Sequence, residues 1–290
     1  MPPNPPLRQH YLPVVFLKQF SEDGPQSTRD SFICRVDATR CVRVPVESQG
    51  YQDGFYSRRS PFEAEAMFKD LEGKYGAVAQ KIWRQENSDK ESFFALIVMM
   101  FDLHLRGLGY ENASLDSNAS AYLRRAQSFF DQVLIADGRS DHSVAEAAAH
   151  LEAHWRVRVL SIPSDHSVIT SDWPSLWFMP PQGENVCAAM LAVTPNCYAV
   201  AFDQRHIGVA GSTLTQEDTA LLNRHQLHHA VEAVFTPHWP SDAEIAGAQA
   251  VLANHEAPGG PDDGVSWPMN LLRLPNKRPF NFLTVTGIDN

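Results

Sequence analysis

His10 and Asp172 are the residues whose types and settings best suit chemistry in this chain. His10 stands in "RQHYLP", just ahead of an apolar run. An imidazole titrates near neutrality, so it can act as a general base or a metal ligand. Asp172 follows the strand-like "SVIT" and precedes Trp173 and Pro174. A carboxylate at a strand end, on the loop side, is placed where catalytic groups commonly project. Each residue also has a plain structural reading. The ring of His10 can satisfy backbone groups, and Ser171 with Asp172 can close an Asx-type turn. Trp173 can stack a planar ligand such as a nucleobase, or it can pack as core.

Other constellations are weaker. His225 and His229 are one helical turn apart, a spacing that places two imidazoles on one face. The glutamate of an H-E-x-x-H zinc motif does not accompany them, so solvated histidines are the plainer reading. Glu65 and Glu72 share a helix face and could flank a site with Tyr56, although solvent-facing glutamates are the default on an amphipathic helix. The cysteines at 34, 41, 187 and 197 show no metal-ligand rhythm, and a reduced state is expected for them. No Walker loop, dinucleotide fingerprint or G-x-S-x-G elbow is present.

Composition narrows the partners. The net charge of −10 gives no basic field that would recruit nucleic acid by charge alone, so such a substrate would need a local basic groove. The apolar run "FFALIVMMF" is too short to span a bilayer, and the first residues lack the basic-then-apolar pattern of a secretory leader. The expectation is a cytoplasmic protein without membrane association.

The elements that must position these residues read as an α+β fold. Residues 31–46 predict a hairpin around Asp37, Ala38 and Thr39, and the opening stretch through Phe20 reads as a strand-like element. Residues 62–155 predict a helical block. One helix starts at a Ser60 cap with Pro61 at its first position, one is apolar nearly all round, and two follow from about Ser117 and Ser140. Residues 156–204 read as short β runs forming a mixed or antiparallel sheet, which the N-terminal hairpin is expected to join. A late helix is predicted over 215–235, capped by Thr215 with Asp218. One domain is expected over 8–236, with 237–290 a Pro/Gly-rich extension that packs on it and holds the strand candidate "FNFLTV".

Several strings, in order, resemble the domain of unknown function 4238 family. They are His10-Tyr11-Leu12-Pro13 with Phe16, Leu17 and Phe20; "GFY" at 54–56; "LEGKYGAVAQKI"; Thr170-Ser171-Asp172-Trp173-Pro174; Thr194-Pro195; and Leu222-Asn223. The likeness covers roughly residues 9–235. Three departures stand out: Gln9 where many members double the histidine, Trp173 where an Asn is usual, and "MMFDLHLRG", which leaves Arg106 as the arginine of the second helix. The resemblance implies a shared fold and a set of suspect positions. It carries no reaction.

Two functions fit these residues. The first is a hydrolase of nucleic acid or nucleotides, in a defence or toxin setting. His10, Asp172 and Asn223 would be catalytic, Tyr11, Tyr56, Trp173 and Arg106 would bind substrate, and a divalent metal is the cofactor such chemistry admits. The second is a non-enzymatic binding or interaction module in which the same residues are structural pins. The arrangement of His10, Asp172 and Asn223 around a common pocket discriminates between them.

Overall fold

The computed structural model describes residues 8–24, 31–53, 61–86, 89–111, 126–135, 137–180, 185–254, 271–274 and 280–285. Tyr56, with the rest of the aromatic loop, and Ser60 lie outside the described residues. The opening stretch is strand for three residues only, β1 (Arg8–His10). Pro13 then stands at the cap of a helical turn, α1 (Val14–Leu17), which tightens into a 3-10 turn over Lys18–Phe20. Its locked φ suits a helix entrance, which is why the strand stops so soon. Phe16, Leu17 and Phe20 are fully buried, as an apolar anchor would be.

The hairpin forms as expected from β2 (Phe32–Asp37) and β3 (Cys41–Pro45). The Asp37 carboxylate accepts the amides of Thr39 and Arg40 and so closes the turn. Cys34 faces Arg43 and Cys41 faces Val36, and all four cysteines are free thiols. β4 (Tyr51–Asp53) runs antiparallel to β1, which sets His10 opposite Tyr51.

The helical block holds α2 (Pro61–Trp83) and α3 (Lys90–Glu111). Asp89 starts α3 by accepting from the amide and hydroxyl of Ser92. Leu96, Met99, Met100, Leu103 and Leu105 of α3 are all buried, as a helix without a wet face must be. A π-helical turn at Phe130–Ile135 follows, then α4 (Val144–His154). A reciprocal cap between Ser143 and Glu146 starts α4 after Ser143 rather than at Ser140.

Strands follow: β5 (Trp155–Ser161), β6 (Thr170–Ser171), β7 (Leu176–Met179), β8 (Ala188–Thr194), β9 (Cys197–Asp203) and β10 (Ile207–Val209). The late helix α5 (Gln216–His229) begins at the expected Thr215–Asp218 cap but ends six residues short of Phe235. Ala233–Thr236 is instead strand β11, which pairs with β2 on one side and β6 on the other. Pairing on both edges outweighs the local helical pattern there. The C-terminal stretch adds α6 (Asp242–Ala253), opened by a Ser241–Glu244 capping box, and the strands β12 (Leu271–Arg273) and β13 (Leu283–Val285). Helix α6 was not expected in a stretch read as Pro/Gly-rich, although its "SDAE" is an S-x-x-E capping signal.

Two larger sheets carry the architecture. The first has the order β3-β2-β11-β6, all antiparallel, so the N-terminal hairpin pairs with β11 instead of joining, as was expected, the sheet that holds β5, β7, β8 and β9. The second has the order β12-β7-β8-β9-β5 and is antiparallel except for the parallel β12–β7 edge. Every residue of β8 is buried, because α2 and α3 pack against this central strand and β7 and β9 flank it. At the edge, the first half of β5 alternates: Trp155 and Val157 are buried, while Arg156 and Arg158 are exposed. No described helix is long and apolar enough to cross a membrane.

Candidate functional site

Asp172 lies at the junction of α5 and β11. Its carboxylate accepts three backbone amides, from Val231 at 2.8 Å, Glu232 at 2.6 Å and Ala233 at 3.1 Å. Its own amide donates to the Ala233 carbonyl, which makes the clasp two-sided. Burial raises its carboxyl to about 6 against the pull of those three amides. Ser171 beside it accepts from the Trp173 amide and from Gln226, which also donates to the Trp173 carbonyl. The Ser-Asp-Trp-Pro string is therefore wound into a tight turn strapped to α5.

Asn223 does similar work one turn earlier on α5. Its Oδ1 accepts the Ile169 amide and its Nδ2 donates to the Ser167 carbonyl, each at 3.0 Å. The side-chain amide thus takes the place of a neighbouring strand for residues 167–169. Both of its polar atoms are used on backbone.

His10 is only partly buried. Its Nε2 lies 3.3 Å from the Glu47 carbonyl, and its ring meets Tyr51 edge-on at 6.0 Å. Its carbonyl accepts from Arg106 at 3.4 Å. Arg106 is completely enclosed: Nε lies 2.8 Å from Asp102, Nη1 2.9 Å from Glu72, and the guanidinium caps the Phe68 ring at 3.9 Å. In such a setting the planar fork of arginine matches two carboxylates and an aromatic face at once. Asp102 was not singled out from the sequence. The signal lay in "MMFDLHLRG", where Asp102, His104 and Arg106 interrupt a helix that has no wet face.

Trp173 joins the two regions. It is fully buried, and its ring packs on His229 at 4.7 Å and on His104 at 5.7 Å. The structure thus brings Trp173 against core rather than to a surface where a planar ligand could stack, and Tyr11 is also core. His229 is buried with it and His225 lies beside Phe178 and Phe280, so this pair is aromatic packing rather than the solvated histidines expected. Among the described residues no group of three or more His, Cys, Asp or Glu is set to hold a metal ion.

Gly107 is where Trp173 meets α3. A Cβ placed there would lie 2.3–2.6 Å from the indole ring. Within a helix, Gly→Ala ordinarily gains up to about 1 kcal/mol. Here the clash should reverse the sign, and Gly107→Ala is expected to lose about 1–3 kcal/mol in urea denaturation. A variant as stable as the parent would show that the ring can move aside.

Two cavities open near these elements. A polar cleft of about 350 Å3 runs between Ser21–Gly24, Trp83, the 164–167 loop and Pro237–His238. Its charged groups are largely engaged: Arg43 grips Glu22 through two 2.6 Å bonds, and Asp165 lies 3.0 Å from His166. A second cavity, of about 340 Å3, is lined by Phe94, Phe101 and Asp102 of α3, by the π-helical turn, by α4 and by Trp177. Its wall is predominantly apolar, and Asp102 makes it continuous with the Arg106 cluster.

Comparison with curated proteins and with solved structures returned no match. A family model does match, "Protein of unknown function (DUF4238)", over residues 8–237. That span runs from β1 through β11 and takes in the Arg106 cluster, the Asp172 clasp and the Asn223 strap, so the chain belongs to the DUF4238 family.

Proposed function

We propose that this protein is a non-enzymatic binding module whose polar motif residues are structural pins around a recognition cavity. The observation that carries this reading is the Asp172 clasp: both carboxylate oxygens are spent on three backbone amides of the α5–β11 junction. A carboxylate so engaged has poor access to a substrate or metal. Asn223 supports the same reading, since both ends of its amide hold residues 167–169. The competing proposal, a hydrolase of nucleic acid or nucleotides in a defence or toxin context, draws on His10, whose imidazole keeps partial exposure.

The test is to incubate the full chain with nucleoside triphosphates and single-stranded nucleic acid, with magnesium or manganese present. The binding-module reading expects no turnover above the buffer blank. Asp172→Asn, which turns an amide donor toward backbone N–H groups, should lower stability by about 2 kcal/mol. Turnover that His10→Ala abolishes while leaving the melting temperature unchanged would instead establish the hydrolase.

A further inference from the structure

The cavity between α3, the π-helical turn and α4 is a hollow rather than a face. Ile97, Phe101, Ala147, Leu151 and Trp177 on its wall are each at most 7% exposed, while Val144, which also lines it, is 84% exposed. A mouth at the start of α4 therefore leads to a deep floor, which a small molecule can reach and a flat protein surface cannot. The volume of about 340 Å3 lies within the range of small-molecule pockets. Ala147 and Ala148 of α4 leave this gap, where a larger side chain would restore the close packing usual in interiors. The π-helical turn forms another part of the wall, a distortion that recurs at functional sites.

Among the described residues, the polar groups on the wall are each engaged elsewhere. Asp102 is buried on Arg106, 2.8 Å from its Nε. The ring nitrogens of His142 lie 2.8 Å from Asp131 and 3.0 Å from Asp137. Gln127 Nε2 donates to Asp131 and to the His142 carbonyl, and the Ser143 hydroxyl is held in the reciprocal cap with Glu146. The Trp177 indole N–H donates to Ser175 at 2.8 Å. An ionic group entering here would lose its water and find no partner, a cost far larger than for an apolar group. Aromatic rings form much of the remaining wall: Phe101 packs on Phe130 at 4.6 Å and edge-on to Trp177 at 6.5 Å. Such rings pair favourably with one more ring, edge-to-face or offset.

We infer that this cavity binds a small uncharged aromatic molecule, its ring against Phe101, Phe130 and Trp177, selected by shape and apolar contact rather than by an ion pair. The inference rests on the binding-module reading and names its ligand class.

The probes are 3-methylindole, tryptamine and indoleacetate, which share one aromatic body and differ in charge, titrated calorimetrically into the full chain at neutral pH. The uncharged 3-methylindole is expected to bind about tenfold or more tightly than either ion. Its binding should carry a negative heat-capacity change, the mark of apolar surface leaving water. Ala148→Phe, on the half-buried face of α4, should fill the cavity and weaken 3-methylindole by about tenfold or more, with the melting temperature of the parent kept. Should that variant fail to fold, Ala148→Leu takes its place, with a loss of about threefold or more. Tryptamine or indoleacetate binding as tightly as 3-methylindole, binding unaltered in the folded cavity-filling variant, or no binding of 3-methylindole would each overturn the inference. Nucleotide turnover is measured with none of these probes, so it tests the binding-module reading separately.

Discussion

Arg106→Ala is expected to destabilise the protein by about 3–5 kcal/mol, enough to unfold a marginal domain at 37 °C. The alanine removes the counter-charge of Asp102, which is 1% exposed and cannot reach water, and takes the cap from the Phe68 ring. Glu72 suffers less, because its side chain keeps 29% exposure and can be hydrated. Arg106→Lys should fall between alanine and the parent. An ammonium keeps the charge but loses the planar fork that serves Asp102, Glu72 and the His10 carbonyl together. The double variant Arg106→Met with Asp102→Leu should recover most of the loss, since replacing a whole buried ion pair by apolar groups is often nearly neutral. Urea denaturation reads all four proteins. If Arg106→Ala costs less than about 1 kcal/mol, the cluster is solvated and does not hold β1 to α3.

Stability should also fall in acid through His104. Its ring is fully buried, with Phe129, Trp173 and Trp177 at 5.4, 5.7 and 5.8 Å, and burial pushes its imidazole down to about 3. The folded value lies below the unfolded one, near 6.5, so the unfolded state takes up the proton first. The contribution of the neutral ring is whole above about pH 6.5 and is lost progressively as pH falls toward 3. The full loss is about 5 kcal/mol in order of magnitude. Asp172 acts in the opposite sense over part of this window. Its folded value is raised, so its contribution is fully present below about pH 4 and declines as pH rises through about 6. Comparison of wild type with His104→Phe cancels that opposing contribution. The phenylalanine keeps the aromatic packing and removes the titration, so its denaturation midpoint should drop less between pH 7 and pH 4. Parallel pH profiles for the two proteins would mean that His104 is hydrated in the native state.

Much of the local structure was legible in the residues themselves. Thr215 with Asp218, Pro61 with the apolar period behind it, and the Asp37 turn are short-range hydrogen-bond and dihedral effects that a few neighbours decide. The apolar run "FFALIVMMF" of α3 marked it as a central helix for the same reason. The end of α5 was not legible. "AVFT" follows on from a helical pattern, and only the presence of β2 and β6 on either side makes it a strand.

The candidate site divides in the same way. Residue type and setting picked out His10, Asp172 and Trp173 in the sequence, and the family resemblance added Arg106 and Asn223. What each side chain touches was decided by the tertiary structure alone. Asp172 and the amides it accepts are about sixty residues apart in the chain, and Asn223 bonds Ile169 and Ser167 across 54 and 56 residues. Arg106 meets Glu72 and His10 only after α2, α3 and β1 have packed. A carboxylate in a catalytic cleft and a carboxylate that clasps backbone amides have the same residue type and the same neighbours in sequence. The difference between them is the set of donors that folding brings within 3 Å, and long-range packing alone supplies that set.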